Sequence, residues 1–91
     1  MKQARLVERG ANFWGGTYDI WDVGDGHGIY VDYVPCTFDT GEPETMAFPY
    51  DMRRQKVTDW DELDTWFEDA TGGKAIRELG YEPIEEGDGD A

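Results

Sequence analysis

Ninety-one residues fit one domain, and four Trp, five Tyr and four Phe among them suffice for one hydrophobic core. Twenty-one acids oppose eight bases, a net charge of −13, which disfavours direct contact with nucleic acid or an anionic membrane surface. One cysteine, Cys36, excludes an internal disulfide, and no apolar run reaches the length of a membrane span.

The opening "MKQARLVERG" has basic residues with no apolar run behind them, so it does not read as a secretory signal. The cytoplasm is the expected compartment, a host cytoplasm if the chain is viral. Leu6 and Val7 are the only bulky apolar residues among residues 2–9, compatible with a first strand or a short arm. In "FWGGTYDIWDV", residues 13–23, Tyr18 and Ile20 share one strand face while Trp21 and Val23 share the other. Gly15-Gly16 predicts a bulge or bend, and "GDGHG", residues 24–28, predicts a hairpin loop. "IYVDYVPCTF", residues 29–38, is the strongest strand: Ile29, Val31 and Tyr33 line one face, and Tyr30, Asp32 and Val34 the other. Pro35 weakens its pairing or places the strand at an edge, and Cys36 reads as a small strand residue. After a turn at "DTGEP", "ETMAFPY", residues 44–50, continues an antiparallel meander, with Met46, Phe48 and Tyr50 on one face and Pro49 marking an edge or an end.

Asp59 then reads as an N-cap, with Glu62 completing a capping box. Trp60, Leu63, Trp66, Phe67 and Ala70 follow helical spacing, and Thr71-Gly72-Gly73 ends that main helix. "KAIREL", residues 74–79, predicts a short second helix stopped by Gly80. The expected fold is α+β: a three- to four-stranded antiparallel meander packed against one main helix and a short second one. Residues 1–84 would form the domain and 85–91 an acidic tail.

Catalytic chemistry finds little support. The chain has no serine. His27 and Cys36 sit near opposite ends of one strand, about 30 Å apart at strand rise, too far for a thiol–imidazole pair. One His and one Cys cannot complete a zinc site. Asp22, Asp25 and His27 in "DVGDGHG" lie close together but do not match the twelve-residue calcium loop, and no metal is expected. "TGGK", residues 71–74, lacks the first Gly and the closing Ser or Thr of a phosphate loop. No cofactor and no enzymatic activity are expected.

The charge is segregated. Residues 10–52 hold eight acids and no base, and residues 57–91 hold twelve acids and two bases. Asp61, Glu62, Asp64, Glu68 and Asp69 fill the positions the apolar stripe leaves free, and like charges at helical spacing oppose the helix by a few tenths of a kcal/mol per pair. Acids so spaced match successive phosphates along a nucleic-acid strand, which suits a lysine- and arginine-lined groove. Asp19, Asp22, Asp25 and Asp32 form a second expected patch. Aromatic residues Trp14, Tyr18, Trp21 and Tyr30 are candidate anchors.

In size, charge and lack of catalytic groups, the chain resembles small phage-encoded acidic inhibitors, including anti-CRISPR proteins and other nucleic-acid mimics, which share no common motif. "ETMAFP" followed by "TDWDEL" is also similar to short phage accessory proteins with an E-T-M-x-F segment before D-W-x-E-L. The resemblance implies a non-enzymatic inhibitor that binds a basic nucleic-acid-binding groove of a host defence complex, such as a CRISPR effector, and blocks DNA or RNA access. Neither nucleic acid nor membrane is an expected direct partner, while pairing of two copies through an exposed strand edge stays open. The alternative is a salt-adapted or accessory protein whose acidity serves solubility, consistent with only three lysines.

Overall fold

The computed structural model describes residues 2–13, 15–36, 41–59, 66–68 and 72–85. The strands are β1 (Lys2–Ala11), β2 (Thr17–Gly24), β3 (His27–Val34), β4 (Glu44–Asp51), β5 (Lys56–Val57), β6 (Trp66–Glu68) and β7 (Tyr81–Ile84), with a single described helix, α1 (Gly72–Glu78). Six strands run in the order β5-β4-β3-β2-β1-β7, and β6 joins the sheet at β4. All neighbours are antiparallel except β1 and β7, which are parallel.

Local chemistry explains the central ladder. The β2–β3 connection turns at Asp25 (φ 59°) and Gly26 (φ 81°), the pair of positive φ values that an Asp-Gly hairpin turn supplies. This turn sets Trp21 opposite Ile29 and Ile20 opposite Tyr30. Alternation then continues into β4, where Ile29 meets Pro49 and Val31 meets Ala47. Gly28 is required for contact: a Cβ there would come within 2.6 Å of the Met52 sulfur and 2.9 Å of the Trp21 carbonyl oxygen.

In β1 the register shifts between Leu6 and Glu8, so Val7 is an extra, bulged residue and is 47% exposed. The bulge reverses the phase of the strand. Leu6 faces the same side as Trp21, but Glu8 falls beside Ile20 and Arg9 beside Asp19.

One face of the sheet carries the core. Ala4, Trp21, Ile29, Val31 and Ala47 pack with Ala75 and Ile76 of α1. An isolated helix of seven residues is unstable in water. Ala75 and Ile76 are both fully buried, and tertiary burial of an isoleucine contributes about 1.5–3 kcal/mol. The helix ends at Gly80 (φ 93°), whose N–H donates to the Arg77 carbonyl at 3.0 Å.

The expected α+β arrangement is corrected here: among the described residues the protein is mostly β, with one short helix and no meander packed on a main helix. Trp66–Glu68, expected inside the main helix, pair as a strand with Glu44–Met46. Residues 60–65 and 69–71 lie outside the described residues. Two forces favour the strand at residues 66–68. The outer edge of β4 presents backbone groups that need partners, and aromatic residues such as Trp66 and Phe67 suit a pleated surface. Repulsion among closely spaced acids works against the competing helix. Gly72 and Gly73, expected to terminate that helix, lie instead in the helix α1 that follows.

Pro49 shapes the same edge. Its carbonyl accepts the Thr58 N–H at 3.1 Å, so the side of Pro49 that lacks an N–H faces away from β3. The β3 ladder therefore loses nothing, and Pro49 separates the part of the edge used by β5 from the part used by β6. Cys36 lies beyond the end of β3, exposed, and not within a strand.

Thr45 tests the balance of polarity in the core. It is fully buried, and its hydroxyl has no hydrogen-bond partner among the described residues. Thr45→Val keeps the branched shape and removes the buried hydroxyl, so it should raise stability by about 1 kcal/mol. Thermal or denaturant unfolding measures this directly. A loss of stability would mean that the hydroxyl is satisfied.

Candidate binding face

The face of the sheet opposite α1 carries a different chemistry. By register, Tyr18, Ile20 and Asp22 of β2, Tyr30, Asp32 and Val34 of β3, and Glu44, Met46, Phe48 and Tyr50 of β4 share it. Glu8 joins them because of the bulge at Val7. Ile20, Val34 and Phe48 are buried, forming an apolar floor. Three partly exposed tyrosines cross it. Tyr18 and Tyr30 stack with centroids 5.5 Å apart and planes 12° from parallel; Tyr30 and Tyr50 follow at 6.3 Å and 20°. The stack runs diagonally across β2, β3 and β4, as expected for large side chains on neighbouring strands.

The tyrosines are held as neutral phenols. The Tyr18 hydroxyl donates to a Glu8 carboxylate oxygen, and this bond is the main cause that raises its pKa. Burial pushes Tyr30 up to about 12, and burial also raises Tyr50. Glu8 is exposed beside this ladder, and Asp22 and Glu44 are partly exposed on the same face. The Asp22 carboxylate accepts the Gly24 N–H at 2.9 Å, which places it at the turn end of β2. Flat aromatic rings beside carboxylates suit a guanidinium, which stacks on the ring and bonds the carboxylate through its edge.

The expected patch of Asp19, Asp22, Asp25 and Asp32 does not form one surface. Asp19 lies on the α1 face, 4% exposed, and takes two bonds from Arg9: Nε to Oδ1 at 2.7 Å and Nη2 to Oδ2 at 3.1 Å. Its charge serves the fold. Asp32 shares the tyrosine face but is 6% exposed, and its carboxylate accepts from Asn12 Nδ2 at 2.7 Å. Burial raises its pKa, and the Asn12 bond partly offsets this. Asp25 is exposed in the hairpin turn. Only Asp22 remains on the face. Of the other group, Asp61, Glu62, Asp64 and Asp69 lie outside the described residues, while Glu68 is in β6, in register with Glu44.

Glu8 and Glu44 were not among the expected site residues. Alternation with Met46, Phe48 and Tyr50 was the available signal for Glu44. Nothing in the sequence marks the bulge that turns Glu8 onto this face.

Among the described residues, no three His, Cys, Asp or Glu side chains form a group able to hold a metal ion, and no helix is long and apolar enough to cross a membrane. No protein-family model matches the chain, and no match appears among curated proteins or solved structures.

Proposed function

We propose that this protein is a non-catalytic binding module whose acidic, tyrosine-lined sheet face docks on an arginine- and lysine-rich groove of a nucleic-acid-handling complex. Docking there excludes DNA or RNA. The target class is a host defence complex of the CRISPR effector type, a choice supported only by the resemblance to small acidic phage inhibitors. The observation that carries the reading is the Tyr18–Tyr30–Tyr50 ladder flanked by Glu8, Asp22 and Glu44, on the face that α1 leaves open. The stacked rings offer a flat surface with little conformational freedom left to lose, and the net charge of −13 steers the module toward cations. Displaced counterions on the groove favour the complex in the way they favour nucleic acid.

The test is nucleic-acid displacement from candidate effector complexes by the full chain. The double variant Glu8→Lys/Glu44→Lys should compete at least about tenfold more weakly, a loss in the range expected for two interface charges. Glu78→Lys, an exposed change on α1, should compete as well as the parent. Equal potency of all three proteins would reject this face. Salt separates the alternative role in solvation: a protein adapted to high salt unfolds when salt is removed, whereas a mimic stays folded and loses its partner as salt rises.

A further inference from the structure

At one end of the sheet, a cleft of about 700 Å³ lies between the β2–β3 turn, the β4–β5 turn and the end of α1. That volume is typical of a small-molecule site. Its lining lacks the acidic excess of the rest of the molecule, since Arg53 and Arg54 match Asp25 and Asp51 in number. In a chain with eight bases against twenty-one acids, Arg53, Arg54 and His27 meet at this cleft, over an apolar wall that includes Ile29, Leu79 and Tyr81.

The two arginines differ in what holds them. Arg53 lies against the backbone of the hairpin turn: a Cβ on Gly26 would sit 3.0 Å from both its Nε and its Cζ. Among the described residues its guanidinium makes no ion pair within the usual distance. Arg54 reaches Asp51 at 3.8 Å, Nε to Oδ2, a long contact that leaves its other donors for a ligand. Asp51 is engaged by its own turn. Its Oδ1 accepts the N–H groups of Arg53 at 2.9 Å and Arg54 at 3.0 Å, so this carboxylate organises the loop that presents both guanidinium groups. Asp25 also borders the cleft but is exposed in the hairpin turn.

We infer that this cleft binds a small organic anion, with its carboxylate or phosphate between Arg53, Arg54 and His27 and its apolar body against Ile29, Leu79 and Tyr81. Both halves of the ligand are required. The protein's overall negative field opposes a bare anion, and bidentate arginine contacts act at short range. Burial of an apolar body supplies the rest of the affinity. An uncharged molecule of the same shape would leave the guanidinium groups unanswered.

The test is amide NMR of the full chain titrated with phenyl phosphate, phenylacetate, phenylethanol and inorganic phosphate. For ligands this small, the two aromatic anions should bind with dissociation constants on the order of a millimolar. They should shift the amides of Gly26, His27, Leu79 and Tyr81 saturably. Phenylethanol and inorganic phosphate should bind at least about fivefold more weakly, since each provides only one half of the recognition. Arg53→Gln and Arg54→Gln alter exposed side chains, so unchanged spectra outside the cleft would confirm that each variant is folded. Each should weaken phenyl phosphate several-fold. Phenyl phosphate and phenylacetate together establish the shared anion chemistry, and the tighter of the two identifies the preferred head group. Absence of shifts at the cleft, equal binding of phenylethanol or inorganic phosphate, or unchanged affinity in both variants would overturn the inference.

Discussion

Trp21→Ala should cost about 4 kcal/mol, within the range for removing a buried aromatic side chain. A chain of 91 residues has a total stability of roughly 5–14 kcal/mol, so the variant is expected to be partly unfolded at room temperature if the parent lies at the low end. The reason is position. Trp21 is fully buried and is the largest such side chain among the described residues, in one cluster with Ala4, Ile29, Val31, Ala47 and both core residues of α1. The small alanines around it cannot move in to fill the space it leaves. Trp21→Phe separates volume from polarity. The indole Nε1 is buried and has no hydrogen-bond partner among the described residues, so phenylalanine loses packing but no hydrogen bond to any of them. Its cost should be about 1–2 kcal/mol. Urea unfolding of the three proteins measures the series. A cost below about 1 kcal/mol for Trp21→Ala would show that the sheet and α1 do not depend on this contact.

Trp21 also shows what the sequence could and could not reveal. Its strand was legible within residues 13–23 because Tyr18 and Ile20 mark one face and Trp21 and Val23 the other, and "GDGHG" names its own turn through glycine and aspartate chemistry. The faces of Ile29–Val34 were legible for the same reason. Three things depended on distant partners. Trp60, Leu63, Trp66 and Phe67 satisfy a helical period, but the edge of β4 is invisible from residues 59–70, and that edge recruits Trp66–Glu68 as a strand. Asp19 and Asp32 look like surface acids until Arg9 and Asn12, ten and twenty residues earlier, are seen to hold them. The bulge at Val7 carries no glycine or proline to announce it, yet it decides that Glu8 faces the tyrosines and Arg9 faces Asp19. Charge pattern thus gave a correct count of acids without sorting those that support the fold from those left at the surface.

That sorting leads to the second large effect. Asn12→Ala should destabilise the protein by about 2–3 kcal/mol near neutral pH, because it leaves a buried carboxylate without its amide donor. Asn12 fastens the β1–β2 connection to the end of β3. Its Nδ2 shares two hydrogens among three acceptors, Asp32 Oδ1 at 2.7 Å, the Tyr33 carbonyl at 2.7 Å and the Thr17 carbonyl at 3.0 Å, while its Oδ1 accepts the Gly16 N–H at 2.8 Å. Gly16 permits the approach, since a Cβ there would lie 2.1 Å from the Tyr33 oxygen. The pH dependence has a definite sign. Burial raises the pKa of Asp32 in the folded state, so the native protein binds this proton more tightly than the unfolded chain does. The contribution is present at acid pH and is lost as pH rises through the folded value. Removing Asn12 deletes the bond that lowers that pKa, so the cost of Asn12→Ala should shrink as pH falls and Asp32 becomes neutral. Asp32→Asn retains an oxygen acceptor for Asn12 and removes the desolvated charge, so it should be stabilising by about 1 kcal/mol near neutral pH, with the gain disappearing in acid. In the Asp32→Asn background, Asn12→Ala should cost about 1 kcal/mol, and the difference between the two costs is the coupling energy of the pair. The same cost for Asn12→Ala at neutral and acid pH, and in both backgrounds, would show that the loop is held by the backbone contacts of Asn12 and not by its bond to Asp32.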